Sequence, residues 1–260
     1  MTVSTGPTRA ASPARKPVLF LQHALENGPG ALAEILGECG LSWKCRRLFA
    51  GDGVPTSLDG CSVLVVLDDA RTQDADVARA EIELVRMAVE RDFPTIGIGR
   101  GAVLVAEAAG GRGEPDPGAA IGWHEVCLTA DGRLDPAFRA LPAAFVGLHW
   151  HRHSIAIPEG ALRLAGASVC ENQVFRVGQR VYGFQFHPEV TGWMVERWMG
   201  AEAAGAPDAA DRLAALRRET GLHDDASRQR LRDLLRGLLP AFGLADAAGG
   251  GPVVNRTVTD

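Results

Sequence analysis

The sequence predicts an α/β domain with a central, mostly parallel sheet flanked by helices. Short apolar runs of strand length alternate with segments of helical period through the N-terminal part of the chain. The 260 residues are 46% hydrophobic and 23% charged, which suits one packed core and rules out general disorder. A glycine-rich turn joins one of the apolar strands directly to an apolar helix, as expected at the carboxyl edge of a parallel sheet.

The elements follow in order. Residues 1–16 are rich in Thr, Ser, Pro and Ala and read as a flexible arm. Pro17-Val-Leu-Phe-Leu-Gln22 is apolar without helical period, a buried strand. Gly28-Pro29-Gly30 breaks the chain, and a helix runs from Ala31 to Glu38. Ser62-Val-Leu-Val-Val-Leu67 is a second buried strand. Val77, Ala80, Leu84, Val85 and Ala88 recur at the spacing of an amphipathic helix. Pro94-Thr-Ile-Gly-Ile98 is a third strand, leading through Gly99 and Gly101 into a helix over Ala102 to Ala109 that Gly110-Gly111 stops.

Beyond Gly111, segments 121–128, 144–150, 162–168, 173–177 and 181–186 are short and strand-like, and extend or flank the sheet. Helices are expected at 191–203, 208–219 and 225–238. The last carries Leu231, Leu234, Leu235 and Leu238 on one stripe, which suits core packing, with a partner surface as the other reading. Residues 17–243 then form one domain, with helices over about 191–240 packed on it and 244–260 as a flexible tail. There is no internal repeat.

The bulk numbers exclude several classes. A net charge of −5 gives no electrostatic reason to expect nucleic acid or a membrane surface as partner. The apolar runs are too short to span a bilayer, and no apolar stretch follows the basic residues near the N-terminus as a signal peptide requires. Five cysteines, an odd number with no CxxC pair, argue against a disulfide framework and for a cytoplasmic location.

The turn Gly97-Ile-Gly-Arg-Gly101 has the form of a nucleophile elbow. Such a turn pushes its central side chain into the cleft, and the N–H of the next residue faces a developing oxyanion. Taken alone, it reads more readily as a plain tight turn. Its context is more specific. The stretch Pro94 to Gly111 resembles the elbow of class I glutamine amidotransferases, and Tyr182-Gly-Phe-Gln-Phe-His-Pro-Glu-Val-Thr191 resembles their second signature. Gln22-His23 with Glu26-Asn-Gly-Pro-Gly30, Ile121-Gly-Trp123 before Leu128-Thr129, and His149-Trp-His151 before Ile157-Pro158 fit in family order. The resemblance covers about residues 17–200 and is greatest to stand-alone members related to the amidotransferase domain of GMP synthase.

That resemblance implies a flavodoxin-like fold and a definite chemistry. A cysteine thiolate attacks the side-chain amide of glutamine, a histidine moves the proton, and a glutamate orients the histidine. By position the base is His187 and its orienting partner Glu189, but the nucleophile position holds Gly99. The family's Gly-Gly-Pro loop, part of the oxyanion hole, is here Asp68-Asp69-Ala70, and carboxylates there oppose a developing anion. A pocket-lining glutamine of the family is replaced by Val103, which cannot make its hydrogen bonds. No other cysteine stands at the right place.

The expectation is therefore a relative without glutaminase activity, needing no cofactor. It acts as a binding, scaffold or regulatory protein, with a separate synthase or other protein as partner, or with a small molecule in the former glutamine pocket. The alternative is an active amidotransferase or hydrolase with another nucleophile, or different acid–base chemistry through His187. Glycine at a strained elbow also relaxes it, so Gly99→Ala and Gly99→Cys are expected to melt lower than the native protein.

Other residues admit two readings each. His187 and Glu189 are relics held by hydrogen bonds or carry new acid–base work. His149, His151 and His153 alternate and would share one strand face, where a metal needs a further ligand from His187, Asp68 or Asp69. The first two also match the family's His-Trp-His pattern, and no metal site is assigned. Asp68 and Asp69 form a solvated turn or bind a cation or a basic group. Arg100 either fills the vacated pocket and pairs with Asp68, Asp69 or Glu189, or is exposed.

Overall fold

The computed structural model describes residues 15–68, 74–205 and 210–244. Asp69, most of the N-terminal arm and all of the tail after Leu244 lie outside the described residues. The elements run β1 (Val18–Gln22), α1 (Gly30–Glu38), β2 (Trp43–Arg47), β3 (Val63–Val66), α2 (Ala75–Glu90), β4 (Thr95–Ile98) and α3 (Arg100–Ala108). They continue with β5 (Arg112–Leu128), α4 (Ala130–Leu134), β6 (Ala144–Ala156), β7 (Leu162–Ala167), β8 (Cys170–Val177), β9 (Val181–Phe184), α5 (Gly192–Gly205) and α6 (Ala210–Ala241). Two short 3-10 turns, Leu48–Ala50 and Pro136–Phe138, lie between them.

One sheet has the order β2-β1-β3-β4-β9-β8-β7-β5-β6. The first five strands are parallel. From β9 through β8, β7, β5 and β6 every pairing is antiparallel. The parallel share is smaller than the sequence suggests, for a simple reason. Several connections after β5 are too short for a crossover, and short connections only permit antiparallel neighbours.

Alternation along β1 and β3 splits the core between the two sheet faces. Val18, Phe20, Val63, Val65 and Leu67 face α1 and α6, packing with Leu32, Ile35, Leu231, Leu234 and Leu238. Leu19, Leu21, Leu64 and Val66 face α2 and α3, packing with Leu84, Val85, Ala102 and Val105. Both faces are therefore covered, as a parallel sheet requires. The leucine stripe of α6 belongs to this core.

Two elements differ from expectation. β2, Trp-Lys-Cys-Arg-Arg, has no apolar run to announce it, because it is an edge strand with its basic side chains exposed. From Ala210 onward, the two helices expected at 208–219 and 225–238 are one continuous 32-residue helix, α6. Gly221 weakens its middle by about 1 kcal/mol. Contacts on either side offset that cost. Trp123 Nε1 donates to Thr220 Oγ1 at 3.0 Å, and Arg228 and Arg232 pair with Glu34 and Glu38 of α1. None of the helices among the described residues is long and apolar enough to cross a membrane.

Candidate functional site

Because β1, β3, β4 and β9 are parallel, their carboxyl ends meet at one edge of the sheet. Four junctions converge there: His23 after β1, Asp68 after β3, Gly99 after β4 and His187 after β9.

Gly99 is a single residue between β4 and α3, with φ 57° and ψ −118°. Its N–H donates to the Phe184 carbonyl at 2.8 Å, tying the turn to β9. The flanking Gly101 is required by close approach: a Cβ there would sit 2.1 Å from the Val66 carbonyl oxygen. At Gly99 the obstacle is a side chain. A Cβ would lie 2.3 Å from Asp68 Oδ1 and 2.7 Å from Asp68 Cγ. The same Oδ1 accepts the Arg100 N–H at 2.6 Å, a charge-assisted bond at the start of α3. The Asp68 carboxylate thus occupies both the space of any side chain at position 99 and the N–H that follows it.

Asn27 holds this carboxylate from the other side. Its Nδ2 lies 3.3 Å from the Asp68 carbonyl oxygen and 3.4 Å from Oδ2, while its Oδ1 accepts from Trp198 Nε1 at 2.8 Å. Trp198 in turn packs its ring edge-on to His187, with centroids 4.8 Å apart. Asn27 and Trp198 carry no role in the sequence reading. The only hint is an amide in a Gly-Pro loop. His23 likewise has no role there beyond its motif, yet its Nε2 meets Glu81 Oε1 of α2 at 2.6 Å, with both side chains 2% exposed.

His187 is fully buried, and its N–H donates to the Leu148 carbonyl at 2.8 Å. Its Nδ1 meets Glu189 Oε1 at 2.9 Å. Burial opposes protonation of this ring, but the Glu189 carboxylate outweighs it, with help from Asp68, so the His187 pKa is raised. Among the described residues, His187 Nε2 and Glu189 Oε2 are buried without a hydrogen-bond partner. The structure therefore brings together Gly99, the Arg100 N–H, Asp68, His187 and Glu189.

It does not bring the Arg100 side chain into the cleft. The guanidinium is partly exposed and lies 3.7 Å from Glu107 along its own helix, so only its backbone contributes. Val103 is buried in the core on the α2 and α3 side rather than facing Asp68. The neighbouring Asp69 lies outside the described residues.

The histidines of β6 separate. His149 and His151 are buried with ring centroids 5.6 Å apart, while His153 is exposed. A register shift in the β5–β6 ladder falls between the pairs Pro115–His153 and Ala120–His151, and such irregularities break simple alternation. Burial, then the neighbouring His151, His124 and His187, push the His149 pKa down to about 3, so this ring is neutral. Among the described residues no group of three or more His, Cys, Asp or Glu side chains is placed to hold a metal ion. Cys45 and Cys61 stay as thiols at neutral pH, since burial pushes both up to about 11.

Comparison with known proteins bears on this arrangement. The sequence pattern of the family described as glutamine amidotransferase class-I matches residues 69–194. The glutamine amidotransferase-like protein YfeJ of Salmonella typhimurium is 30% identical over 186 residues, which is 69% of this chain and 78% of that protein. The glutamine-hydrolysing GMP synthase subunit of Methanoculleus marisnigri is 29% identical over 51% of this chain and 67% of its own length. A glutamine amidotransferase structure from Thermotoga maritima superposes with a TM-score of 0.78 at 22% identity, covering 87% of this chain and 99% of that one. One from Methylobacillus flagellatus gives 0.76 at 22% identity over 88% and 96%. With a relative this similar over most of its length, the chain belongs to the class I glutamine amidotransferase family.

Proposed function

We propose that this protein is a class I glutamine amidotransferase relative that does not hydrolyse glutamine and works by binding, as a scaffold or regulatory partner. One observation carries the reading. The Asp68 carboxylate lies on the Arg100 N–H, in the space a side chain at position 99 would need. Acyl transfer requires a nucleophile there and an N–H free to stabilise the oxyanion. We assign Gly99 to the nucleophile position. It has no side chain to attack with, and a carboxylate resting on the donor repels the charge that must develop.

His187 and Glu189 stand at the positions of base and orienting carboxylate, and their mutual bond keeps that geometry. The unpartnered His187 Nε2 is what favours the rival, acid–base chemistry on another substrate. Its complete burial weighs against a substrate reaching it. The Methanoculleus relative, one component of GMP synthase, suggests by analogy that this chain works beside a separate synthase or another protein. A small molecule near the former glutamine pocket is the second kind of partner. No cofactor enters the reading.

The test is ammonia release from glutamine by the purified protein, beside Gly99→Cys and His187→Ala. Release at background level by the native protein is expected. Release that His187→Ala abolishes would overturn the proposal and point to a nucleophile elsewhere in the cleft.

A further inference from the structure

Between α6, β6 and the segment that follows β9 lies a small cavity of about 20 Å³, room for roughly one water-sized occupant. Phe138, Phe145, Phe186 and Pro188 give it apolar walls, and Ser227 and Arg230 of α6 supply polar groups. These two are three residues apart and so share a helix face. Arg230 Nη2 is buried without a hydrogen-bond partner among the described residues. Its neighbours on α6 differ: Arg228 and Arg232 are paired with Glu34 and Glu38. None of the described residues that line the cavity is a carboxylate.

Arg230 as a whole is only partly buried, but its Nη2 is shut away from solvent, and a buried guanidinium nitrogen without a partner is costly. Burial also lowers the Arg230 pKa, as expected of a cation short of one. A water needs two to four polar partners, and these walls provide few. A tetrahedral oxyanion is too large for the space, and a cation is repelled.

We propose that this cavity binds one small monovalent anion of chloride size, held by the Arg230 guanidinium and the Ser227 hydroxyl. The site is independent of the glutamine reading. It has a route to the cleft, because Phe186 and Pro188 of its wall bracket His187 in sequence. An occupant fixes the segment that carries that histidine.

The experiment combines crystals grown in bromide with denaturation in chloride or gluconate at equal ionic strength. Native protein is expected to show an anomalous bromide peak within hydrogen-bonding distance of Arg230. Its folded-to-unfolded ratio should rise about tenfold per tenfold chloride once the site is saturated, and gluconate should give no such rise. Arg230→Met keeps apolar volume and removes the unpaired charge, so it should fold, lack the bromide peak and lose the chloride response. Ser227→Ala should bind more weakly without losing the peak. A water in place of bromide, or a chloride response that is equal in native protein and Arg230→Met, would overturn the proposal.

Discussion

Putting a cysteine at position 99 forces a conflict whose size follows from the geometry. The new Cβ meets Asp68 Oδ1 at 2.3 Å and Cγ at 2.7 Å, so the carboxylate must leave. Leaving breaks its 2.6 Å bond from the Arg100 N–H. A hydrogen bond to a charged group is worth about 1.5–3 kcal/mol. A side chain held near φ 57° and ψ −118° adds strain of about 1–3 kcal/mol. Gly99→Cys should therefore cost about 2.5–6 kcal/mol, and Gly99→Ala about the same, since the clash is with Cβ and not with sulfur. The assay is urea denaturation of native protein, Gly99→Cys, Asp68→Ala and the double variant. In the Asp68→Ala background only the strain remains, so the cysteine should cost about 1–3 kcal/mol there, and the cycle should show coupling of about 1.5–3 kcal/mol. A single Gly99→Cys variant as stable as native protein, or strictly additive costs, would refute the idea that Asp68 fills the elbow.

Three further outcomes are expected. The raised His187 pKa stabilises the fold fully below the ordinary histidine value, and the gain is lost as pH rises through the higher folded value. Glu189→Gln should therefore cost about 3 kcal/mol near pH 6 and clearly less near pH 9 in denaturant titrations, and equal costs at both would contradict the pairing. His149 runs the other way: its folded pKa of about 3 gives stability that is present above its unfolded value and lost as pH falls toward 3. His124, His151 and His187 face it, and His149→Phe should flatten the acid limb of the stability curve by up to one proton, read from the slope of unfolding free energy against pH. Asp135, 1% exposed at its side chain, accepts from Arg176 at 2.6 Å and from Tyr182 at 3.1 Å, so Asp135→Ala should cost about 3–5 kcal/mol by thermal or urea unfolding. A loss under 1 kcal/mol would show that the guanidinium finds water instead.

What the sequence made legible is what periodicity and local chemistry encode. The apolar strands β1, β3 and β4 announce themselves because both sheet faces are covered, which removes the need for polar positions. β2 does not, since an edge strand is written in Lys and Arg. A break between helices at Gly221 is plausible on local propensity alone. It is overridden by Trp123 and Thr220, which are 97 positions apart and whose bond no local pattern can reveal.

The site follows the same division. Gly99, Asp68, His187 and Glu189 are each visible as departures or matches along the chain. Their relation is not. Glycine at position 99 and aspartate at position 68 read as separate features in sequence. In space they are one, because a side chain at position 99 and the Asp68 carboxylate compete for the same few ångströms. With glycine at 99 the Arg100 N–H is open to a partner, and Asp68 at the end of β3 supplies it. Introducing a thiol alone meets the carboxylate, and removing the carboxylate alone strands the donor, so each single substitution should lower stability.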